Sequence, residues 1–280
     1  MKSVALITVI ESNEQNINTE RGFDSTSHKN GLYEDEAVLC FTNWRMNGGW
    51  LKDIPIYAYC PTRNIISQDT KDKLELLNVT YIEKFQPETN NYVCGFWNIP
   101  LVGKILEEEL KEDILIHIDL DMNLIKPLPK EWFDNEATVV GQYDKLAAQN
   151  QRKIGTDWEL PLDTGFIISR RDSGFYKFFY EELKILTENQ GDERWKRECK
   201  DVSLNFLEEY VIDKAYNLKQ IDIKPLQYYQ VGEWYTSVND LTDEQLKTVC
   251  FWHEHIKYDE EGYDKIREKI AYKKRIQNLK

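Results

Sequence analysis

"ILIHIDLDMNLIKPLP", residues 114–129, is the stretch that decides the fold. An apolar run rich in isoleucine ends in two carboxylates, Asp119 and Asp121, with only Leu120 between them. Such a run reads as a buried strand. A buried strand has no use for two anions, so the pair belongs where the strand leaves the core. Side chains alternate along an extended chain, so residues two apart point the same way. The spacing therefore aims both carboxylates at one point. Anions that close repel, and a divalent cation relieves the repulsion. Hard cations such as Mg²⁺ and Mn²⁺ take oxygen ligands and keep positions open for phosphate oxygens. The simpler alternative is that one Asp caps the strand end and the other is merely solvated.

Working outward, apolar runs alternate with helical patterns. "SVALITVI", "IPIYAYC" and "VTYIE" read as strands before "ILIHI". Between them, residues 32–47 read as a helix stopped by Gly48 and Gly49. Ser67 is placed to cap a helix through Leu77, and residues 96–110 read as a third helix. This rhythm predicts parallel strands joined by crossover helices. Past Pro129 it loosens. "ATVVGQY" and "TGFIISR" read as strands. Residues 174–187 read as a helix whose Phe175, Phe178, Phe179, Leu183 and Leu186 serve the core. A helix over 201–210, a strand-like "KTVCFWHEH" and a C-terminal helix over 259–280 complete the expectation. The fold class expected is α/β, a Rossmann-like mixed sheet flanked by helices. It is read as a single domain over 1–280.

Composition narrows the function. A net charge of -13 and a pI near 4.9 are wrong for sequence-independent nucleic-acid binding, which needs clustered Lys and Arg. The five cysteines are odd in number, scattered, and form no C-x-x-C, so reduced thiols in a cytoplasmic protein are the expected state. No apolar stretch nears the ~20 residues of a membrane span.

In a parallel α/β sheet, ligands bind beyond the carboxyl ends of the strands, where Asp119 and Asp121 stand. Together with "LPLDTGFIISRRD", "KDVSLNFLEEY" and "CFWHEH", in that order, the stretch resembles the GT-A-fold, D-x-D-containing glycosyltransferases. It is particularly similar to the glycogenin and bacterial galactosyltransferase-like families. The resemblance implies a metal-dependent enzyme of glycan biosynthesis, with a nucleotide-binding half over about 1–130 and an acceptor-side half that also completes the metal site over about 131–258. Such an enzyme moves a hexose or similar sugar from a nucleotide-diphosphate sugar, a UDP-sugar for preference, to a saccharide hydroxyl. Asp119 and Asp121 would hold Mn²⁺ or Mg²⁺, with His253 as third ligand and His255 as its rival. Asp119 would thereby also face the donor diphosphate.

Other roles follow from the same resemblance. The segment from Thr8 to Glu11 would hold base and ribose, and Lys257 would contact a phosphate. Lys104 would reach a phosphate or pair with Glu108 at helical spacing. Asp163, before Thr164 and Gly165, would face the sugar or the acceptor; its structural alternative is a strand-start Asp bonding its own backbone. Asp201 would lie near the anomeric carbon or act as a helix N-cap. Val202 stands where the family carries Gln, so inverting and retaining chemistry both stay open. Trp97, Trp234 and Tyr235 could stack on sugars or lie buried.

Two rivals share the motif. A haloacid-dehalogenase-like phosphatase uses D-x-D with the first Asp as nucleophile, but Asn123 replaces its Thr or Val. A nucleotide-sugar or glycan-binding protein without turnover would keep the same residues. The "DTG" at Asp163 is unpaired, and an aspartic protease needs two.

Overall fold

The computed structural model describes residues 2–11, 33–87, 98–134, 136–142, 162–189, 193, 207–231 and 241–253. The first half keeps the expected alternation: β1 (Val4–Val9), α1 (Tyr33–Asn47), β2 (Ile56–Cys60), α2 (Gln68–Leu76), β3 (Val79–Glu83), α3 (Asn98–Glu109) and β4 (Ile114–Ile118). β1 pairs in parallel with β2 and with β4, and β2 with β3. The chain thus winds one way from β1 to β3, then returns to the other side of β1 for β4. That reversal opens a crevice beyond the carboxyl ends of β1 and β4.

After β4 come a three-residue β5 (Met122–Leu124), then β6 (Thr138–Gln142) and β7 (Leu162–Arg170). β7 runs antiparallel to both β4 and β6. The rest of the described chain is α4 (Phe175–Glu188), α5 (Leu207–Asn217), β8 (Ile223–Pro225), α6 (Asp243–Thr248) and β9 (Phe251–His253). β8 joins β6 in parallel, giving one seven-stranded sheet in the order β3-β2-β1-β4-β7-β6-β8. Both expected halves of the chain share it. β5 and β9 form a separate antiparallel ribbon.

The strands are apolar throughout because helices cover both faces. Leu6, Ala58, Ile116 and Ile118 meet Ala37, Phe41 and Trp44 of α1 and Leu74 of α2. On the other face Ala5, Ile7 and Leu115 meet Val102 and Leu106 of α3, Phe175 and Phe179 of α4, and Val211 of α5. Gly103 lets α3 and α4 touch: a Cβ there would lie 2.1 Å from the Tyr176 ring.

Several local readings hold. Ser67 caps α2 by accepting the Thr70 N–H, and residues 33–47 are helical. The apolar face of α4 is core, except that Phe178 is only half-buried. Others differ. α5 continues past Tyr210 to Asn217, because Val211, Ile212 and Ala215 prolong its buried stripe. Only Phe251–His253 of "KTVCFWHEH" is strand; Lys247 and Thr248 end α6, which opens on a capping box of Thr242 and Gln245. The expected helix over 259–280 lies outside the described residues. Among the described residues, no helix is long and apolar enough to cross a membrane, and Cys40, Cys60 and Cys250 are buried thiols.

Candidate metal centre

β4 delivers Asp119 to the mouth of the crevice. The antiparallel β7 meets it there, and the Asp119 N–H donates to the Gly165 carbonyl at 2.8 Å. A tight turn follows, closed by the Met122 N–H on the Asp119 carbonyl at 3.1 Å. β5 then pairs with β9 so that Met122 faces His253. This pairing brings a histidine beside Asp121 from far along the chain.

Ligand atoms of Asp119, Asp121 and His253 all lie within 4.8 Å of one another, so the three residues can hold a metal ion. His253 Nε2 is 3.3 Å from Asp121 Oδ1. The Asp121 and His253 side chains are 10% and 7% exposed, and that of Asp119 is 29% exposed, so the group opens to solvent on the Asp119 side. Two carboxylate oxygens and one imidazole nitrogen make a mixed oxygen and nitrogen donor set for a metal ion. Gly165 leaves the necessary room. A Cβ there would sit 3.0 Å from Asp119 Oδ2, 3.1 Å from Asp163 Oδ1 and 3.2 Å from His253 Cε1.

The ribbon is held from behind by α1. Cys40, Asn43 and Asn47 share one helical face and address β5 in turn. The Cys40 thiol donates to the Met122 carbonyl, and the Asn43 amide to Asn123 Oδ1 at 2.8 Å. The Asn47 amide donates to the Leu124 carbonyl at 2.8 Å. Asn123 passes this on, donating to the Asp121 carbonyl at 3.1 Å. On β4, His117 lies two residues before Asp119 on the same side, its Nε2 3.2 Å from Asp119 Oδ1.

The other expected residues divide. Asp163 joins the cluster: it is 2% exposed, its Oδ1 accepts the Gly165 N–H at 2.8 Å, and its Oδ2 lies 3.6 Å from His253 Nδ1. Thr8 does not; its hydroxyl is buried and donates to the Ile118 carbonyl at 2.8 Å, tying β1 to β4. At the end of β1, Glu11 instead accepts from the Asn98 amide at 2.9 Å, joining β1 to the start of α3. The Lys104 ammonium lies 5.0 Å above the Tyr180 ring, on the α3–α4 side of the sheet. Asp201, Lys257, His255, Trp97, Trp234 and Tyr235 lie outside the described residues. Lys126, the lysine of "NLIKPLP", donates to the Lys247 carbonyl at the end of α6, and burial holds its ammonium below the usual value. Cys250, three residues before His253, is pushed up to about 12 by burial, so it stays a thiol and serves packing.

His117 and Gly165 went unassigned in the sequence, although the alternation that pairs Asp119 with Asp121 extends to His117. Asn43 carries no such signal, because its partner is 80 residues away. Compared with known proteins, the chain matches no family model and no curated sequence.

Proposed function

We propose that the protein is a metal-dependent glycosyltransferase that moves a hexose or similar sugar from a nucleotide-diphosphate sugar, first of all a UDP-sugar, to a hydroxyl of a saccharide acceptor. The observation that carries this reading is the meeting of Asp119, Asp121 and His253 at the carboxyl end of β4, beside the reversal in strand order. A nucleotide laid across that crevice brings its diphosphate to the acidic group. A bound Mn²⁺ or Mg²⁺ supplies positive charge against the diphosphate leaving group. Asp119, the most exposed of the three, faces the incoming donor, while Asp121 and His253 are fixed by the ribbon and α1. Glu11 stands at the end of β1, where base and ribose would lie.

The motif's setting favours a transferase over a phosphatase: Asn123 stands where the phosphatase motif carries Thr or Val, and the two aspartates follow the fourth strand and not the first. The test is incubation with Mn²⁺ and a panel of nucleotide sugars, with release of nucleoside diphosphate as the readout. Metal-dependent hydrolysis of at least one donor is expected. Donor binding without turnover would favour the non-catalytic reading, and neither binding nor hydrolysis with any donor would remove the proposal.

A further inference from the structure

We infer that Asn43 and Asn123 are positioning residues that fix the peptide of Asp121, so that α1 sets the affinity of the metal site through a chain of two carboxamides. The inference rests on the metal-site reading above and adds to it two residues that hold a ligand and not the ion. The Asp121 carbonyl and the Met122 N–H are the two ends of one peptide unit, which is planar. Both ends are held. The N–H donates to the Asp119 carbonyl at 3.1 Å, and the carbonyl accepts from Asn123 Nδ2 at 3.1 Å. A plane held at both ends resists rocking. The Asp121 Cα lies in that plane, so holding it directs the carboxylate toward Asp119 and His253.

The second hold depends on which way round the Asn123 carboxamide faces. Its nitrogen toward the Asp121 carbonyl makes a hydrogen bond; its oxygen there would set two acceptors against each other. Asn43 makes the choice, because its Nδ2 donates to Asn123 Oδ1 at 2.8 Å. Asn123 is 1% exposed, so bulk water does not take this part. Asn43 is only half-buried, and its truncation to alanine should leave the fold intact. Water admitted in its place both donates and accepts, so it imposes neither orientation on Asn123.

Asn47 supplies the control. It lies on the same face of α1, and its amide donates to the Leu124 carbonyl at 2.8 Å. That bond holds the ribbon without reaching the Asp121 peptide. Mn²⁺ affinity of the whole chain, read by electron paramagnetic resonance, is expected to fall about tenfold in Asn43→Ala, the lower end for loss of a ligand's supporting partner. Asn47→Ala should lower the melting temperature and leave Mn²⁺ affinity unchanged. Asn123→Ala should weaken Mn²⁺ binding at least as much as Asn43→Ala. Adding Asn43→Ala to it should then cost nothing more, because the residue that Asn43 acts through is gone.

The second readout needs no metal. The chain has three methionines, so ¹⁵N-methionine labelling isolates the Met122 amide. In the metal-free chain its exchange with deuterium should quicken about fivefold in Asn43→Ala, the worth of one net hydrogen bond, and not in Asn47→Ala. Unchanged Mn²⁺ affinity in Asn43→Ala, an equal loss in Asn47→Ala, or additive losses in the double variant would each overturn the inference. An equal loss would mean that α1 supports the ribbon as a whole, and additive losses that the two asparagines act separately. Failure of the wild type to bind Mn²⁺ would instead remove the metal reading, and the Met122 exchange rates would still decide whether the two carboxamides hold the Asp121 peptide.

Discussion

Glu34 and Glu107 lie against helix starts, whereas Asp119, Asp121 and Asp163 lie at strand ends. All but Asp119 are buried. Glu34 Oε2 receives the Ser67 N–H at 3.0 Å, the Ser67 hydroxyl at 2.6 Å and the Thr70 hydroxyl at 2.6 Å. Glu107 receives the backbone N–H groups of Tyr176 and Lys177 at 3.2 and 3.3 Å, where α4 begins on Gly174 with no side-chain cap of its own. These carboxylates repair helix ends, which otherwise leave N–H groups unsatisfied. The aspartates converge on two imidazoles and on each other. Burial alone therefore does not mark a functional carboxylate; what its oxygens face does.

The largest expected effect tests the strand-end group. Asp121→Asn should cost ~100-fold or more in Mn²⁺ affinity, because loss of even a ligand's supporting partner costs about 10–100-fold. The melting temperature in the absence of metal should hold or rise, since one of three crowded carboxylates is neutralised. Mn²⁺ titration alongside thermal melts of the same samples checks both. A variant that binds Mn²⁺ normally would remove Asp121 from the site.

The helix-end group should respond to pH. Burial pushes the Glu107 carboxyl up to about 7, against the pull of the two N–H donors. Its ordinary value is 4.5, so between 4.5 and about 7 the folded chain holds more protons here than the unfolded chain. The contribution of Glu107 to stability is fully present below 4.5 and is lost as pH rises through about 7. The gap between those values sets a ceiling of about 3 kcal/mol. Glu107→Gln is neutral at every pH. Its stability relative to wild type should therefore climb by up to about 3 kcal/mol across this window, then level off. Urea melts at several pH values measure the difference, and parallel curves would refute the assignment. Mn²⁺ affinity should not change.

Two glycines offer the same contrast on a smaller scale. Gly103→Ala drives a methyl into the Tyr176 ring and should cost about 1–3 kcal/mol in stability, outweighing the gain in helix propensity. Gly165→Ala meets its neighbours at 3.0–3.2 Å, so they need move only tenths of an ångström. Those neighbours are Asp119, Asp163 and His253, and the expected loss falls on Mn²⁺ affinity with little change in melting temperature. The same effect from both glycines would erase the distinction between packing and site.

The sequence showed one kind of carboxylate better than the other. Asp119 and Asp121 follow a buried strand by a spacing that forces them together, and Ile114–Ile118 announces that strand by unbroken burial on both faces. His253 follows an apolar run in the same way. The ribbon that unites them is not legible: β5 and β9 have three residues each, too few for any periodicity, and their pairing is a tertiary fact. Nothing local distinguishes antiparallel β7 from its parallel neighbours. Glu34 and Glu107 look like ordinary helix-surface charges, because the N–H groups they satisfy belong to helices 33 and 69 or more residues further on. The Thr242 box is written in its T-x-x-Q spacing, a local signal of a helix start.

The smallest effect probes whether the two kinds are independent. Ser67 accepts the Thr70 N–H at 3.2 Å as the cap of α2 and also donates its hydroxyl to Glu34. Ser67→Ala removes both contacts. The Ser67 backbone N–H and the Thr70 hydroxyl remain on Glu34, so the carboxylate keeps two of its donors. The expected cost is about 1 kcal/mol, the ordinary value of a serine cap, seen as a small drop in the urea midpoint. Mn²⁺ affinity should be untouched, although α1 carries Glu34 near its start and Asn43 behind β5. Fifteen residues of regular helix separate strain at one end from the other only if the helix packs rigidly, and Ala37, Phe41 and Trp44 are fully buried along it. A Ser67→Ala variant with weakened Mn²⁺ binding would show that α1 transmits the loss to the ribbon, and the helix-end carboxylates would then be part of the site's support.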